Sequence, residues 1–189
     1  MRLGFAVYIL GNDVKDYFNH LENAVSELPL MNVVWIGADE LAADARQRAL
    51  QDADGNHLVF VSERRMGFGI HPNSGIAQEL SESIDYIFRR RMDAYADPWL
   101  EAHPSAEVQS WLRERRALEA RVGGHQRRLY SVHTYCDDSI TLVVGPLAIA
   151  AMDIRGGVER EAGLIMAIPE KRMLGTWGLW LGILIFTGP

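Results

Sequence analysis

The residues of this chain with the clearest potential for chemistry are two adjacent carboxylates, Asp137 and Asp138, in residues 135–138. Runs rich in β-branched and aromatic residues precede and follow them, a pattern typical of the tight turn of a β-hairpin. Neighbouring carboxylates repel each other, so their juxtaposition favours a compensating cation. Mg²⁺ is suitable because it takes hard oxygen ligands and is commonly held by one or two carboxylates. A solvated Asp-Asp turn is the alternative interpretation.

A third carboxylate, Asp13, follows the apolar run of residues 5–10. This run is continuous rather than alternating, which predicts a strand buried on both faces. Asp13 therefore lies beyond the end of a buried strand, at a sheet edge of the kind where sites are commonly built.

The remaining elements that must position these carboxylates follow from apolar periodicity and turn signals. A helix is predicted from Asn73 to about residue 96, with one apolar stripe and with Pro98 at its end. A second helix over residues 106–122 ends at Gly123-Gly124, as a C-terminal cap would. Residues 38–53 are interpreted as a surface insertion, partly helical. Further helices are predicted over residues 16–28 and 146–162, and further strands over residues 31–36, 57–62, 163–168 and 179–186.

Composition and charge limit the fold classes and functions that are compatible with this sequence. The 189 residues suffice for one domain, and the mixture of helices and strands with late hairpins predicts an α+β fold. We expect a mostly antiparallel sheet with helices packed on one face. The net charge of −6 does not suit a simple nucleic-acid binder, since such domains are usually basic. Residues 89–128, however, carry nine Arg against six acids. These arginines are interpreted either as contacts for template phosphates or as parts of solvated helix faces.

The single cysteine excludes an internal disulfide and any zinc site built on several cysteines. The apolar run of residues 177–186 is too short to span a bilayer, so we expect no membrane partner. Residues 1–11 are better explained as a strand than as a signal peptide. We therefore expect an intracellular protein, cytoplasmic or nuclear, that is not secreted.

Four segments, in this order, resemble the palm of a retroelement (retrotransposon) reverse transcriptase. Residues 13–18 have an Asp followed five residues on by an aromatic, and residues 68–78 have a Phe-Gly turn that opens a helix whose first turns end in Gln. Residues 135–138 match the Tyr-x-Asp-Asp signature. Residues 170–172, followed by residues 180–183, are similar to a lysine-bearing turn and a Leu-Gly hairpin. A chance match in an unrelated α+β domain is the alternative.

The resemblance implies nucleotidyl transfer assisted by two Mg²⁺ ions, for which Mn²⁺ can substitute. Two metal ions about 4 Å apart activate the primer 3′-hydroxyl and stabilise the leaving pyrophosphate. Such binding needs carboxylates from separate strands to converge. We therefore predict Asp13 and Asp137 as the principal ligands, with Asp138 assisting, and the family pattern adds the backbone carbonyl of Val14.

The same resemblance implies roles for residues around the metals. Phe18 matches a steric gate against a ribose 2′-hydroxyl, although it is equally suited to a core position. Lys171 is expected as a general acid toward pyrophosphate or as a phosphate counter-charge. Two groups complete the expected site: Phe68, Gly69 and Gln78 against the nucleotide, and Trp180, Leu181 and Gly182 as the primer grip.

As a whole, residues 1–189 are interpreted as a palm with insertions near residues 38–56 and 93–127. Fingers and thumb are expected from neighbouring sequence. The implied function is RNA-directed DNA synthesis on an RNA or DNA template with a primer, from deoxynucleoside triphosphates. The alternative is a non-catalytic retroelement remnant, at most a metal- or nucleic-acid-binding module.

Overall fold

The computed structural model describes residues 3–15, 17, 21, 32–36, 50–51, 57–62, 73–123, 127–166 and 173–188. The chain divides into two compact units. One comprises residues 1–17 and 74–189, and the other comprises residues 18–73. Both are built from antiparallel strand pairs, and the first also contains long helices, so the α+β class is confirmed.

The larger unit is organised on a four-stranded antiparallel sheet with the strand order β5-β6-β1-β7. Strand β1 (Val7–Asp13) is internal, as its apolar sequence predicts, and pairs with β6 (Asp138–Val144) along its whole length. Strand β5 (Tyr130–Tyr135) pairs with β6 as a hairpin, and the short β7 (Met173–Gly175) covers the other side of β1. This topology brings the chain's N-terminal strand beside the hairpin that carries the adjacent carboxylates.

Three helices belong to this unit: α1 (Asn73–Ala102), α2 (Ala106–Val122) and α3 (Ala148–Glu161). A 3₁₀ turn over Gly145–Leu147 leads into α3. The hydroxyl of Ser105 caps α2 by accepting from the Val108 amide, and Gly123 ends it with a φ of +76°. In the described part of the chain, no helix has both the length and the apolar character needed to cross a membrane.

The core lies between one face of the sheet and these helices. Side chains at alternate positions of the strands, such as Leu10, Val132 and Val143, meet Phe88 and Met92 of α1. The rings of Phe88 and Tyr130 pack edge to face with centroids 5.8 Å apart. The apolar stripe that the sequence of α1 predicts is therefore buried at Ile84, Phe88 and Met92, whereas its first member, Ile76, is exposed.

The smaller unit contains a three-stranded antiparallel sheet with the order β2-β4-β3. Its strands are β2 (Asn32–Ile36), β3 (Leu50–Gln51) and β4 (His57–Ser62). The predicted strands over residues 31–36 and 57–62 are therefore confirmed. The helix predicted over residues 16–28 falls mostly outside the described residues, as does most of the insertion predicted over residues 38–53.

Three boundaries differ from the sequence-based predictions. Helix α1 continues through Pro98 to Ala102, because Ala96 and Leu100 are buried on either side of the proline and hold the helix together by packing. Within residues 163–166 there is one isolated bridge, between Val14 and Met166, instead of a strand. The final strand is a hairpin, β8 (Trp177–Trp180) and β9 (Ile183–Phe186).

Candidate active site

Two of the predicted site residues, Asp13 and Asp138, lie directly opposite each other. They are Cα partners in the antiparallel register of β1 and β6. Side chains at opposing positions share one face of the sheet, with Cβ atoms about 4.5–5.5 Å apart. Both residues are half-buried. The sheet therefore brings a carboxylate from each of two separate strands to one place, as metal binding requires.

Asp137 lies in the two-residue turn between Tyr135 and Asp138, which are themselves Cα partners across the hairpin. The other turn residue, Cys136, has a φ of +50°. Positive φ at the first central position alone is the pattern of a type II′ turn, where glycine is usual. A side chain in this conformation costs roughly 1–2 kcal/mol, so the surrounding structure must hold the turn.

Helix α1 holds this turn in place through hydrogen bonds of Gln78 and Ser81. The Cys136 amide donates to Gln78 Oε1 at 2.9 Å, and Gln78 Nε2 donates to the Thr134 carbonyl at 3.2 Å. The Ser81 hydroxyl donates to the Cys136 carbonyl at 2.5 Å. Both backbone polar groups of Cys136 are thus bonded to α1. The Gln78 amide, which the resemblance assigns to nucleotide binding, here binds the hairpin backbone on both sides of Tyr135.

The hydrogen bonds from Gln78 and Ser81 to the hairpin form a clamp on its turn, and Tyr17 extends this clamp. Its hydroxyl lies 2.7 Å from Ser81 Oγ and 2.9 Å from the Ala77 carbonyl. Because Ser81 donates its proton to the Cys136 carbonyl, the single Tyr17 proton is shared between the Ala77 carbonyl and Ser81 Oγ. Burial raises the pKa of the Tyr17 hydroxyl, and the Ser81 hydrogen bond opposes this shift. Tyr17 was not identified from the sequence, because the motif of residues 13–18 draws attention to the next residue, Phe18.

The Cys136 thiol is buried, and burial followed by the charge of Asp137 raises its pKa. Since the thiolate is the reactive form, this thiol is held in its unreactive state. The position is therefore structural rather than nucleophilic.

The predicted primer-grip residues form the turn and adjacent strand end of the β8–β9 hairpin. Leu181 and Gly182 are its two turn residues, with φ values of +48° and +76°, as a type I′ turn requires. Trp180 Nε1 donates to the Asp138 carbonyl at 3.4 Å. The hairpin approaches the sheet around Met173, since a Cβ added to Gly178 would lie 1.9 Å from its sulfur.

A pocket of about 520 Å³ lies beside the carboxylates. Asp13 and Asp138 line it together with Met173, Trp177 and Trp180. Trp177 is exposed, as are most of the large apolar side chains of this hairpin. The pocket thus combines two acidic groups with an uncharged aromatic wall.

Val14 follows Asp13 and forms an isolated bridge with Met166. The Lys15 amide donates to the Ile165 carbonyl at 2.9 Å in this bridge, so this hydrogen bond does not involve the Val14 carbonyl. Phe18, Phe68, Gly69 and Lys171 lie outside the described residues, and their predicted roles stay predictions.

Within the described residues, no three His, Cys, Asp or Glu side chains form a group that could hold a metal ion. The carboxylate pair of Asp13 and Asp138 is a donor set of the kind that suits Mg²⁺, which keeps several waters and takes its other ligands from substrate phosphates. The donor chemistry of the pair therefore fits Mg²⁺ bound together with a phosphate-bearing substrate.

The arginines of residues 89–128 are largely engaged with acids. Arg91 pairs with Glu161 at 2.6 Å and Arg128 with Asp93 at 2.9 Å, and Arg115 lies between Asp97 and Glu119. This pattern is that of charged helix faces. Six of these arginines are exposed: Arg90, Arg91, Arg113, Arg116, Arg121 and Arg127.

Comparison with known proteins gives little further information. No protein-family model matches the chain, and no curated protein matches it. Among solved structures, it is similar to telomerase from Candida albicans, solved in complex with a TWJ fragment of telomeric RNA. The identity is 12%, the TM-score is 0.48, and the match covers 98% of this chain and 30% of that one. This degree of likeness is too low to carry a conclusion about function.

Proposed function

We propose that this chain is the palm of an RNA-directed DNA polymerase of the retroelement type. The observation that carries the proposal is the opposition of Asp13 and Asp138 on neighbouring strands, beside the turn of a Tyr-x-Asp-Asp hairpin. The proposed substrates are deoxynucleoside triphosphates and a primer on an RNA or DNA template. The proposed location is intracellular.

Asp13 and Asp138 would hold the divalent metal as a pair, and Asp137 and the Val14 carbonyl are the further ligands that the resemblance implies. When bound, Mg²⁺ supplies charge stabilisation for an attacking hydroxyl and a leaving pyrophosphate. The residues of this chain place the carboxylates that would bind the metal. The β1–β6 register fixes the spacing of the Asp13 and Asp138 carboxylates. The hydrogen bonds of Gln78 fix the turn that carries Asp137.

The pocket beside the carboxylates is the proposed place of the reacting ends. Its aromatic wall, Trp177 and Trp180, suits the base and sugar of a primer terminus, since bases stack on aromatic side chains. Trp180 also fixes the backbone of Asp138. Phe18, Phe68, Gly69 and Lys171 keep the roles that the resemblance implies, as gate, nucleotide contacts and phosphate partner.

The test is primer extension with the full chain on an oligo(dT)-primed poly(rA) template, in Mg²⁺ and in Mn²⁺. Mn²⁺ binding is measured in parallel by the electron paramagnetic resonance of the free ion. We expect Mn²⁺ binding by the wild type and its loss in Asp13→Asn, and primer extension, where it occurs, should depend on the metal and be lost in the same variant. The variant Asp153→Asn, an exposed acid on α3, is the matched control.

Three outcomes are distinguishable. Extension that depends on Asp13 supports the polymerase. Mn²⁺ binding that depends on Asp13, without extension by this chain alone, supports the metal site that the palm shares with a non-catalytic metal-binding module. Mn²⁺ binding that is unchanged in Asp13→Asn and Asp138→Asn contradicts a metal site at these carboxylates and with it the polymerase.

A further inference from the structure

A group of charged side chains is buried behind the candidate site. Asp85 of α1 and Arg155 and Glu159 of α3 are 3%, 5% and 1% exposed. Arg155 pairs through Nη1 with Asp85 and through Nε with Glu159 at 2.6 Å. The half-exposed Arg89 lies 3.8 Å from Asp85 and brings a second positive charge to the group. Burying such a group is costly unless each member is paired, so its presence calls for an explanation.

Each of the two acids also binds one strand of the main sheet. The Thr134 hydroxyl on β5 donates to Asp85, at 2.9 Å from both carboxylate oxygens. The Asn12 amide on β1 donates to Glu159, at 3.2 and 3.3 Å from its oxygens. Arg155 therefore joins, through two acids, a residue of β5 to a residue of β1.

The register places these contacts immediately behind the carboxylates. Thr134, Ser139 and Asn12 form one row across β5, β6 and β1, on the face that packs on the helices. The next row is Tyr135, Asp138 and Asp13, whose side chains lie on the opposite face because successive residues of a strand alternate. The helix-side row is held at both of its ends, and the candidate site is the adjacent row.

We propose that Asp85, Arg155 and Glu159 are positioning residues that set the spacing of the strands carrying Asp13 and Asp138. The inference rests on the proposed metal-binding function of those two carboxylates. In this arrangement Arg155 fixes the separation of Asp85 and Glu159, and each acid fixes the strand residue next to the site. An apolar cluster would stabilise the fold equally well but would not fix two strands through directional hydrogen bonds.

The test perturbs the strand ends of the network and leaves its buried charges in place. Thr134→Val keeps the shape of the side chain and removes the donor to Asp85, whereas Thr134→Ser keeps the hydroxyl. Asn12→Leu removes the donor to Glu159 on the other strand. Mn²⁺ affinity is measured by electron paramagnetic resonance, and the melting temperature of each variant reports folding. Backbone hydrogen exchange over residues 130–144 reports the hairpin.

We expect Thr134→Val and Asn12→Leu each to weaken Mn²⁺ binding about tenfold, which corresponds to about 1.4 kcal/mol. Thr134→Ser should bind as the wild type does. The effects of the two disruptive substitutions on Mn²⁺ affinity should not add in the double variant, because both act through the same group of Asp85, Arg155 and Glu159. Exchange near Asp138 should be faster in Thr134→Val than in Thr134→Ser. Should Asn12→Leu fail to fold, Thr134→Val carries the same test on the other strand.

Two contrary results have different meanings. If the wild type binds Mn²⁺ through Asp13 and Asp138, and Thr134→Val binds it equally well, the positioning role is wrong and the metal site stands. If Asp13→Asn binds Mn²⁺ as the wild type does, the proposed metal site fails, and the positioning role falls with it.

Discussion

Asp13 and Asp138 occupy directly opposing positions in the antiparallel pair of β1 and β6, one residue beyond the turn of the β5–β6 hairpin. Like charges directly opposite each other in a sheet are destabilising. A divalent cation bound between the two carboxylates would replace this repulsion by an attraction to both.

The first prediction compares the effect of this carboxylate pair on the free energy of unfolding without and with a divalent metal. Without divalent metal, we expect Asp138→Asn to leave the free energy of unfolding within about 0.5 kcal/mol of the wild-type value, because it removes the cross-strand repulsion together with other interactions of Asp138. With Mn²⁺ at a hundredfold excess over its dissociation constant, the wild type should gain about 2.7 kcal/mol and the variant little. Chemical denaturation with EDTA and with Mn²⁺ measures both values. A variant that Mn²⁺ stabilises as much as the wild type would contradict the prediction.

The second prediction concerns the clamp on the turn, with the Cys136 thiol as its reporter. Burial raises the pKa of this thiol, so alkylation by iodoacetamide should be slow in the folded chain and should have its pH midpoint above that of the unfolded chain. Gln78→Met removes two hydrogen bonds to the hairpin, and we expect faster alkylation and a loss of about 1–3 kcal/mol of stability. Gln78→Glu retains the acceptor for the Cys136 amide and should fall between the two. Equal alkylation rates in all three proteins would rule out the clamp.

The third prediction concerns Tyr17, whose hydroxyl pKa is raised by burial. A raised pKa means that the folded state favours the protonated hydroxyl. Its contribution is therefore fully present below pH 10, the ordinary tyrosine value, and is lost as the pH rises through the folded-state value. We expect Tyr17→Phe to lower the free energy of unfolding by about 1–3 kcal/mol at pH 8, and to flatten the loss of stability above pH 10.

The control for Tyr17 is Tyr135→Phe, the same chemical change at a side chain that is 61% exposed. Denaturant titrations from pH 8 to pH 11 compare the two variants with the wild type. A pH slope in Tyr17→Phe that equals the slope of the wild type would contradict the assignment.

The fourth prediction concerns the cost of unpairing the buried charges. Arg155→Met leaves Asp85 and Glu159 buried without their shared cation, and we expect a loss of about 3–5 kcal/mol. Arg91→Met breaks an exposed pair with Glu161 and should change stability little. Urea denaturation of the two variants measures the contrast. Similar losses in both would indicate that the interior around Arg155 is hydrated.

The hairpin and the core stripe of α1 could be predicted from the sequence because both are local patterns. The strand predicted over residues 179–186 missed the turn at Leu181-Gly182, because Leu181 adopts a left-handed φ that its residue type disfavours, whereas the resemblance implied a Leu-Gly hairpin there. The clamp was missed for another reason: Gln78 and Cys136 are 58 residues apart, and no local pattern names such a partner. A signal was nevertheless present, since Ser81 and Asp85 are polar positions on the buried face of a helix.

The most direct test of the central claim is a crystal structure of the chain soaked in Mn²⁺, with the metal located by its anomalous scattering. The proposal predicts a metal ion bound by Asp13 and Asp138, with the two carboxylates within about 6 Å of each other. Carboxylates that point apart, with no metal between them at millimolar Mn²⁺, would contradict the proposed polymerase site.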